Sequence, residues 1–499
     1  MSGAGPGPSC DAGRIRAADG VRLRPSPERR SPRMRHLPIA ILSACLATPV
    51  AAPVAAADAP VAPPATQALL HDIGTAPSAA RIEADIRQLV SFGTRHTLSD
   101  TASDSRGIGA ARRWIHAEFE RISAQCGGCL EVIDVAGTIS GEDRIPEPTE
   151  VVSVLAIQRG TSDPGRYVIM SGDIDSRVSD VMDFSSDSPG ANDNASGVAG
   201  ALEAARILSK HRFPGTIVYA ALSGEEQGLF GGKIVAAKAQ QDGWRIEAVL
   251  NNDMIGNIAG GNGVVDNTTA RVFAEGTRVT ETPEDARQRR FTGGEVDSPS
   301  RNLARYIDRM ADLYVPNLDV MMVYRLDRFG RGGHHRPFND LGYPAVRVME
   351  TNENYDRQHQ DLRTEGGIAY GDVIEGVDFD YVAKLTALNA VSLAGMASAP
   401  PPPADVSITG AVTADTTLGW TRPPASQAPD LAGYRVHWRL TTEPQWTHSV
   451  YVGDVTQHTL KNVVIDNYFF GVSAVAKDGA ESPVVFPGAA GSFGGYGTP

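Results

Sequence analysis

The chain lacks any apolar stretch long enough to cross a bilayer. Its longest candidate, from about Leu37 to Val50, falls short of the ~20 residues a membrane helix needs. Surplus positive charge is missing as well. The formal net charge is -13, so no basic stripe is present to displace counterions from phosphate, which argues against nucleic acid as a partner. Cysteine is scarce, four in 499 residues, and Cys10 and Cys45 fall near the N-terminus. That leaves Cys126 and Cys129 in "QCGGCLEV". In an exported protein such a pair reads as a local disulfide. A redox C-x-x-C would open a helix after a strand, and a zinc knuckle would need two further ligands nearby. The rest of the composition, 41% hydrophobic and 21% charged, is that of a globular protein. The length implies two or three domains.

The N-terminus reads as leader. Residues 1–33 are rich in Arg, Pro and Gly without periodicity. From Met34 the chain runs "MRHLPIAILSACLATPVAAPVAAADAP": a charged start at Arg35, an apolar core, and small-residue cleavage sites near Ala55 to Ala59. That is the layout of a secretory signal peptide over 34–59, with Met34 as the start and a linker over 60–70. The segment "LSAC" also fits a bacterial lipoprotein cleavage box, which would put a lipid anchor on Cys45. Either way the expected location is secreted or periplasmic, with no integral membrane span.

From 71 to 398 the pattern predicts α/β structure. "GIGAARRWIHAEFERISA" places Ile108, Ala111, Ile115, Phe119 and Ile122 at helical spacing, and "ASGVAGALEAARILSKH" repeats the pattern with Val198, Leu202, Ala205 and Leu208. "RYVIMS", "TIVYAAL", "EAVLNN" and "PAVRVME" read as short buried strands. Alternating strands and helices imply a mostly parallel sheet sandwiched by helices. The polar, Gly-rich stretch 260–297 reads as an insertion over one end of that sheet. A Pro-rich linker over 399–405 precedes short alternating runs over 406–490, which indicate an all-β, immunoglobulin-like sandwich. Trp420, Tyr434, Val436, Trp438, Tyr468 and Val472 give it the look of a fibronectin type III module, and such a module could contact a surface or polysaccharide.

The strand ends carry unexpected acids. Asp173 and Asp175 follow one strand, Glu225 and Glu226 a second, and Asp253 a third, while Asp193 sits in a glycine-flanked turn opening a helix. In open α/β sheets, ligands gather at the carboxyl ends of strands. Buried carboxylates without partners cost several kcal/mol each or take up protons, and a cation resolves that conflict for all of them. The adjacent pair Glu225–Glu226 is the most pointed element. In a turn, one can ligate metal while the other reaches a water made acidic by that metal.

In order and spacing, "PGANDNASGVAGALEAARIL", "SGEEQGLFG" and "LNNDMIG" resemble the co-catalytic zinc exopeptidases of peptidase family M28, which include bacterial secreted aminopeptidases. The resemblance covers roughly Gly93 to Ala397. It implies Asp193 as a carboxylate bridging two metals, Glu225 as general base, Glu226 on one metal and Asp253 on the other. A histidine shortly after a strand ending in Glu completes the set, here His359 after Glu350. It also implies peptide or protein substrates and two divalent ions, zinc by default. His335 stands where the family carries a non-ligand histidine, and His334 where it has Asp.

The chain departs from the pattern at its first ligand. "GDID" puts Asp173 where the resemblance calls for histidine, while Asp175 keeps the role of orienting that ligand. Asp193, Glu226 and His359 form a mixed N/O set suited to zinc. Asp173, Asp193 and Asp253 are all hard oxygen donors, which favour manganese, magnesium or calcium. Arg363 stands four residues after His359, where the pattern has an acid. Three readings follow: a two-metal aminopeptidase, a single-zinc enzyme like the family's glutaminyl cyclases, or a peptide-binding homologue without catalysis. The last has no use for Glu225.

Overall fold

Two apolar sets alternate along the central strands, and this alternation dictates a sheet covered on both faces. Val168 and Met170 join one buried cluster, while Tyr167 and Ile169 join another on the opposite side. The computed structural model describes residues 59–494. The expected leader, all but the last residue of the signal peptide, and Cys45 lie outside them.

The main sheet has eight strands: β1 (Leu130–Ile139), β2 (Thr149–Gln158), β3 (Asp163–Asp173), β4 (Gly215–Leu222), β5 (Arg245–Asn252), β6 (Thr269–Ala274), β7 (Asp319–Val323) and β8 (Ala345–Glu350). Their order across the sheet is β1-β2-β4-β3-β5-β8-β6-β7. The centre, β4-β3-β5-β8, is parallel, as is β6-β7; β1-β2, β2-β4 and β8-β6 are antiparallel. The sheet is therefore mixed, with its parallel part where the acids gather.

Helices cover both faces. α1 (Ala68–Gly74), α2 (Ala79–Val90), α3 (Gly107–Gln125) and α4 (Ser196–Leu208) pack on one side, and α5 (Phe230–Gln241) on the other. α6 (Pro283–Thr292) buries no residue. α7 (Pro299–Tyr314) and the long α9 (Phe379–Ser398) join the first layer, while α8 (His335–Asp340) sends Phe338 into the second. The stretch 260–297 is not simply an insertion. It contains β6, an internal strand of the sheet, which its short, polar-flanked sequence disguised. The sulfurs of Cys126 and Cys129 are bonded to each other just past α3.

A small hairpin, β9 (Arg363–Glu365) with β10 (Ile368–Tyr370), follows the acid-bearing loops. Beyond α9 come β11 (Ala404–Thr409), β12 (Thr416–Thr421), β13 (Leu431–Leu440), β14 (His448–Gly453), β15 (Gln457–Leu460) and β16 (Tyr468–Ala476). They form two antiparallel three-stranded sheets, β11-β12-β15 and β14-β13-β16. These enclose Leu418, Trp420, Tyr434, Val436, Phe470 and Val472. Ion pairs link the β-domain to the α/β domain. Asp297 meets Arg305 of α7 at 3.0 Å and Arg439 of β13 at 2.8 Å, and Arg309 meets Glu481 at 2.9 Å. Among the described residues no helix is long and apolar enough to cross a membrane.

Candidate metal centre

The carboxyl ends of β3, β4, β5 and β8 deliver the acids to one place. Asp173 is the last residue of β3, and Glu225 and Glu226 lie three and four residues beyond the end of β4. Asp253 directly follows β5, and His359 lies on the loop after β8. Asp193 sits in a tight turn at 191–195 that opens α4. That turn is held from behind by Asp372, which accepts the backbone N–H of Asn192 at 2.9 Å and of Asp193 at 2.6 Å. Arg95, fully buried, donates to the Gly190 carbonyl at 2.8 Å.

Among the described residues, Asp193, Glu226 and His359 form the group whose ligand atoms all lie within 4.8 Å of one another. His359 Nε2 stands 2.9 Å from Asp193 Oδ2 and 2.8 Å from Glu226 Oε1. Burial alone would lower the His359 pKa; the carboxylates of Glu226 and Asp193 outweigh it and raise it to about 9. The concentrated negative charge that does this also suits a divalent cation. One imidazole nitrogen and two carboxylates are the donors catalytic zinc takes, so the residues present fit that ion. His359 adopts a left-handed backbone (φ 56), an uncommon conformation for a non-glycine residue and one that clusters at functional sites.

Other residues aim these three. Asp175 accepts the backbone N–H of Glu225 at 3.1 Å and of Glu226 at 3.0 Å, fixing the turn that presents both glutamates. Arg177 donates Nε to Glu226 Oε2 at 2.8 Å, and its Nη2 lies 2.6 Å from His359 Nδ1. Glu350, buried at the end of β8, accepts from Asn192 Nδ2 and the Asn257 N–H, both at 2.8 Å. Glu225 lines a cleft of about 420 Å³ together with Asp193, Glu226, Asp253 and His359. Burial, followed by the charges of Glu226 and Asp253, raises its pKa well above the ordinary carboxyl value. The same cleft is lined by the cations Arg144, Arg177, Lys233, Arg328, Arg331 and Arg336.

Asp173 and Asp253 do not join that group. Asp173 Oδ1 is hydrogen-bonded to His334 Nδ1 at 2.5 Å, and its Oδ2 accepts from Asn194 Nδ2 at 2.7 Å. Asp253 Oδ2 is ion-paired with Arg347 Nη2 at 2.8 Å. Burial raises both carboxyls to about 7, although Arg347 pulls the Asp253 value down. Sequence reasoning passed over Arg347, Arg177, Asn194 and Asp372. Arg347 left a signal, a charged residue inside the buried run "PAVRVME". The other three had none, because their partners lie 21 to 182 positions away. His335, read as a non-ligand wall, bonds the Leu326 carbonyl at 2.9 Å and faces Asp327.

Comparison with known proteins finds both family and relatives. The model of "Peptidase family M28" matches residues 153–365. A "Probable zinc metalloprotease" of Leptosphaeria maculans is 46% identical over 422 residues, 84% of this chain and 96% of that protein. One of the same name from Pyrenophora tritici-repentis is 44% identical over 82% of this chain and 85% of its own length. Among solved structures, LapA of Legionella pneumophila is similar with a TM-score of 0.49 at 19% identity, covering 66% of this chain and 76% of that one. A glutaminyl cyclase of Porphyromonas gingivalis has a TM-score of 0.43 at 16% identity, covering 64% of this chain and 98% of that one. The family model and the identity to these metalloprotease relatives show that the chain belongs to peptidase family M28.

Proposed function

We propose that the chain is a zinc-dependent exopeptidase, an aminopeptidase, that hydrolyses peptide bonds with Glu225 as general base. The observation that carries this reading is the convergence of Asp193, Glu226 and His359 on one point of a cleft that Glu225 also lines. Asp193, Glu226 and His359 would hold the ion. Zinc supplies Lewis acidity there, polarising a carbonyl and making water acidic enough to attack near neutral pH.

The chain's own residues do the rest. Glu225, its basicity raised by burial and by neighbouring carboxylates, takes the proton from the attacking water and passes it to the departing amine. Asp175 holds the Glu225–Glu226 turn so that one carboxylate serves the metal and the other the proton. Arg177 donates to Glu226 Oε2 and keeps that carboxylate in register. Of the cations on the cleft wall, Arg144, Lys233, Arg331 and Arg336 supply complementary charge for a carboxylate of the substrate.

Assay of aminoacyl-nitroanilides and of acidic, neutral and basic peptides, after chelation and add-back of single metals, tests the proposal. Activity should vanish on chelation and return with zinc. Silence with every metal sinks it, and cleavage only of peptides with a free C-terminus reverses the assigned polarity. A second reading, a single-zinc glutaminyl cyclase, is favoured by the three-residue donor set. Ammonia release from peptides with N-terminal glutamine would identify it. We also read the protein as exported, a reading the bonded Cys126–Cys129 pair supports. The C-terminal sandwich we read as a fibronectin type III-like module, supported by its two three-stranded sheets packed over Trp420 and Tyr434.

A further inference from the structure

Family resemblance calls for a second metal beside the first, with Asp193 shared and Asp253 as its own ligand. In this chain the residues there do not fit one. Arg347 is fully buried, and its guanidinium is gripped from two sides. Nη2 pairs with Asp253 Oδ2 at 2.8 Å, while Nη1 pairs with Asp327 Oδ2 at 3.2 Å and donates to the Gly332 carbonyl at 2.9 Å. Asp327 is in turn faced by His335 at 3.6 Å and Arg328 at 3.3 Å. Both oxygens of Asp173 are also taken, one by His334 and one by Asn194.

We propose that this is a one-metal enzyme in which the guanidinium of Arg347 permanently occupies the role of the second cation. The argument is one of charge and space. Asp253 is buried and needs a positive partner. Arg347 supplies it from β8, the strand next to β5 in the sheet. Unlike Lys or His, a guanidinium does not lose its charge in a protein, so it cannot vacate the site by deprotonation. A divalent ion bound to Asp253 would lie against a fixed like charge in a medium of low dielectric, where such repulsion is strong. The exchange at Asp173 and His334 belongs to the same rearrangement. The carboxylate and the imidazole bind each other there, and the neighbouring Asn194 and Asn251 are neutral amides.

This inference rests on the zinc site proposed above, and metal stoichiometry separates their fates. The full chain is saturated with Zn²⁺ or Mn²⁺, desalted, and counted by elemental analysis and native mass spectrometry. One ion per chain is expected. Two ions overturn the inference while leaving the zinc site intact, and none overturns both. The variant Arg347→Met, checked for folding by circular dichroism, should take up a second equivalent. A folded variant that stays at one ion overturns the role given to Arg347. Should that variant not fold, the wild-type count still decides. Titration with Co²⁺ gives an independent readout, since its visible absorption should stop growing at one equivalent in the wild type.

Discussion

Two groups of carboxylates lie side by side at the same end of the sheet, and the fold satisfies them by opposite means. Asp173 and Asp253 find partners within the protein: His334, Asn194 and Arg347. Asp193 and Glu226 converge instead on His359, in a cleft open to small molecules. One group is closed by side chains, the other is built to receive something. The difference teaches that an acid at a strand end says little until its nearest cation is known. A guanidinium marks structure, whereas a convergence of mixed nitrogen and oxygen donors marks a site.

The comparison breaks most sharply under ligand removal. His359→Ala or Asp193→Asn should abolish zinc retention and turnover together, whereas Asp173→Asn should leave zinc content unchanged, all read by elemental analysis. Glu225→Gln should keep its zinc and lower kcat by about 10²–10⁴, the usual contribution of a positioned base. Asp253→Ala leaves the buried guanidinium of Arg347 to Asp327 and the Gly332 carbonyl alone and should cost about 1.5–3 kcal/mol of folding stability by urea denaturation, with zinc content again unchanged. Arg177→Ala loosens Glu226 and should weaken zinc affinity roughly 10–100-fold, as loss of groups that orient metal ligands does.

The smallest expected effect is one of pH. The His359 pKa is raised from 6.5 to about 9 in the metal-free chain. A histidine raised in this way stabilises the folded chain fully below 6.5, and the benefit is lost as pH climbs through about 9. The melting temperature of the metal-free protein should therefore drift down across that window, while the zinc-loaded protein, whose His359 must be neutral, should not. Zinc affinity should rise over the same range as the competing proton leaves.

Much of this architecture was legible in the sequence. β3, β4, β5 and β8 announced themselves as apolar runs, and the helices α3 and α4 as periodic ones. β6 was hidden because its six residues sit among Gly, Asn and Thr and its neighbours in the sheet are remote in the chain. At the site, Asp193, Glu225, Glu226 and His359 could be singled out because adjacent glutamates and strand-end acids are chemically conspicuous. What could not be read was which acids share a cation. Asp253 and Arg347 are 94 residues apart, and only the parallel pairing of β5 with β8 brings them together. For the same reason the sequence alone does not pair Asp173 with His334, 161 residues away, which bonds it in the folded chain.

The central claim is that a single cation sits among Asp193, Glu226 and His359. Anomalous diffraction at the zinc edge from crystals of the zinc-loaded protein tests it most directly. One peak bounded by those three side chains, with Arg347 still on Asp253, is the predicted result. A peak between Asp173 and Asp253, or no peak near His359, would contradict it.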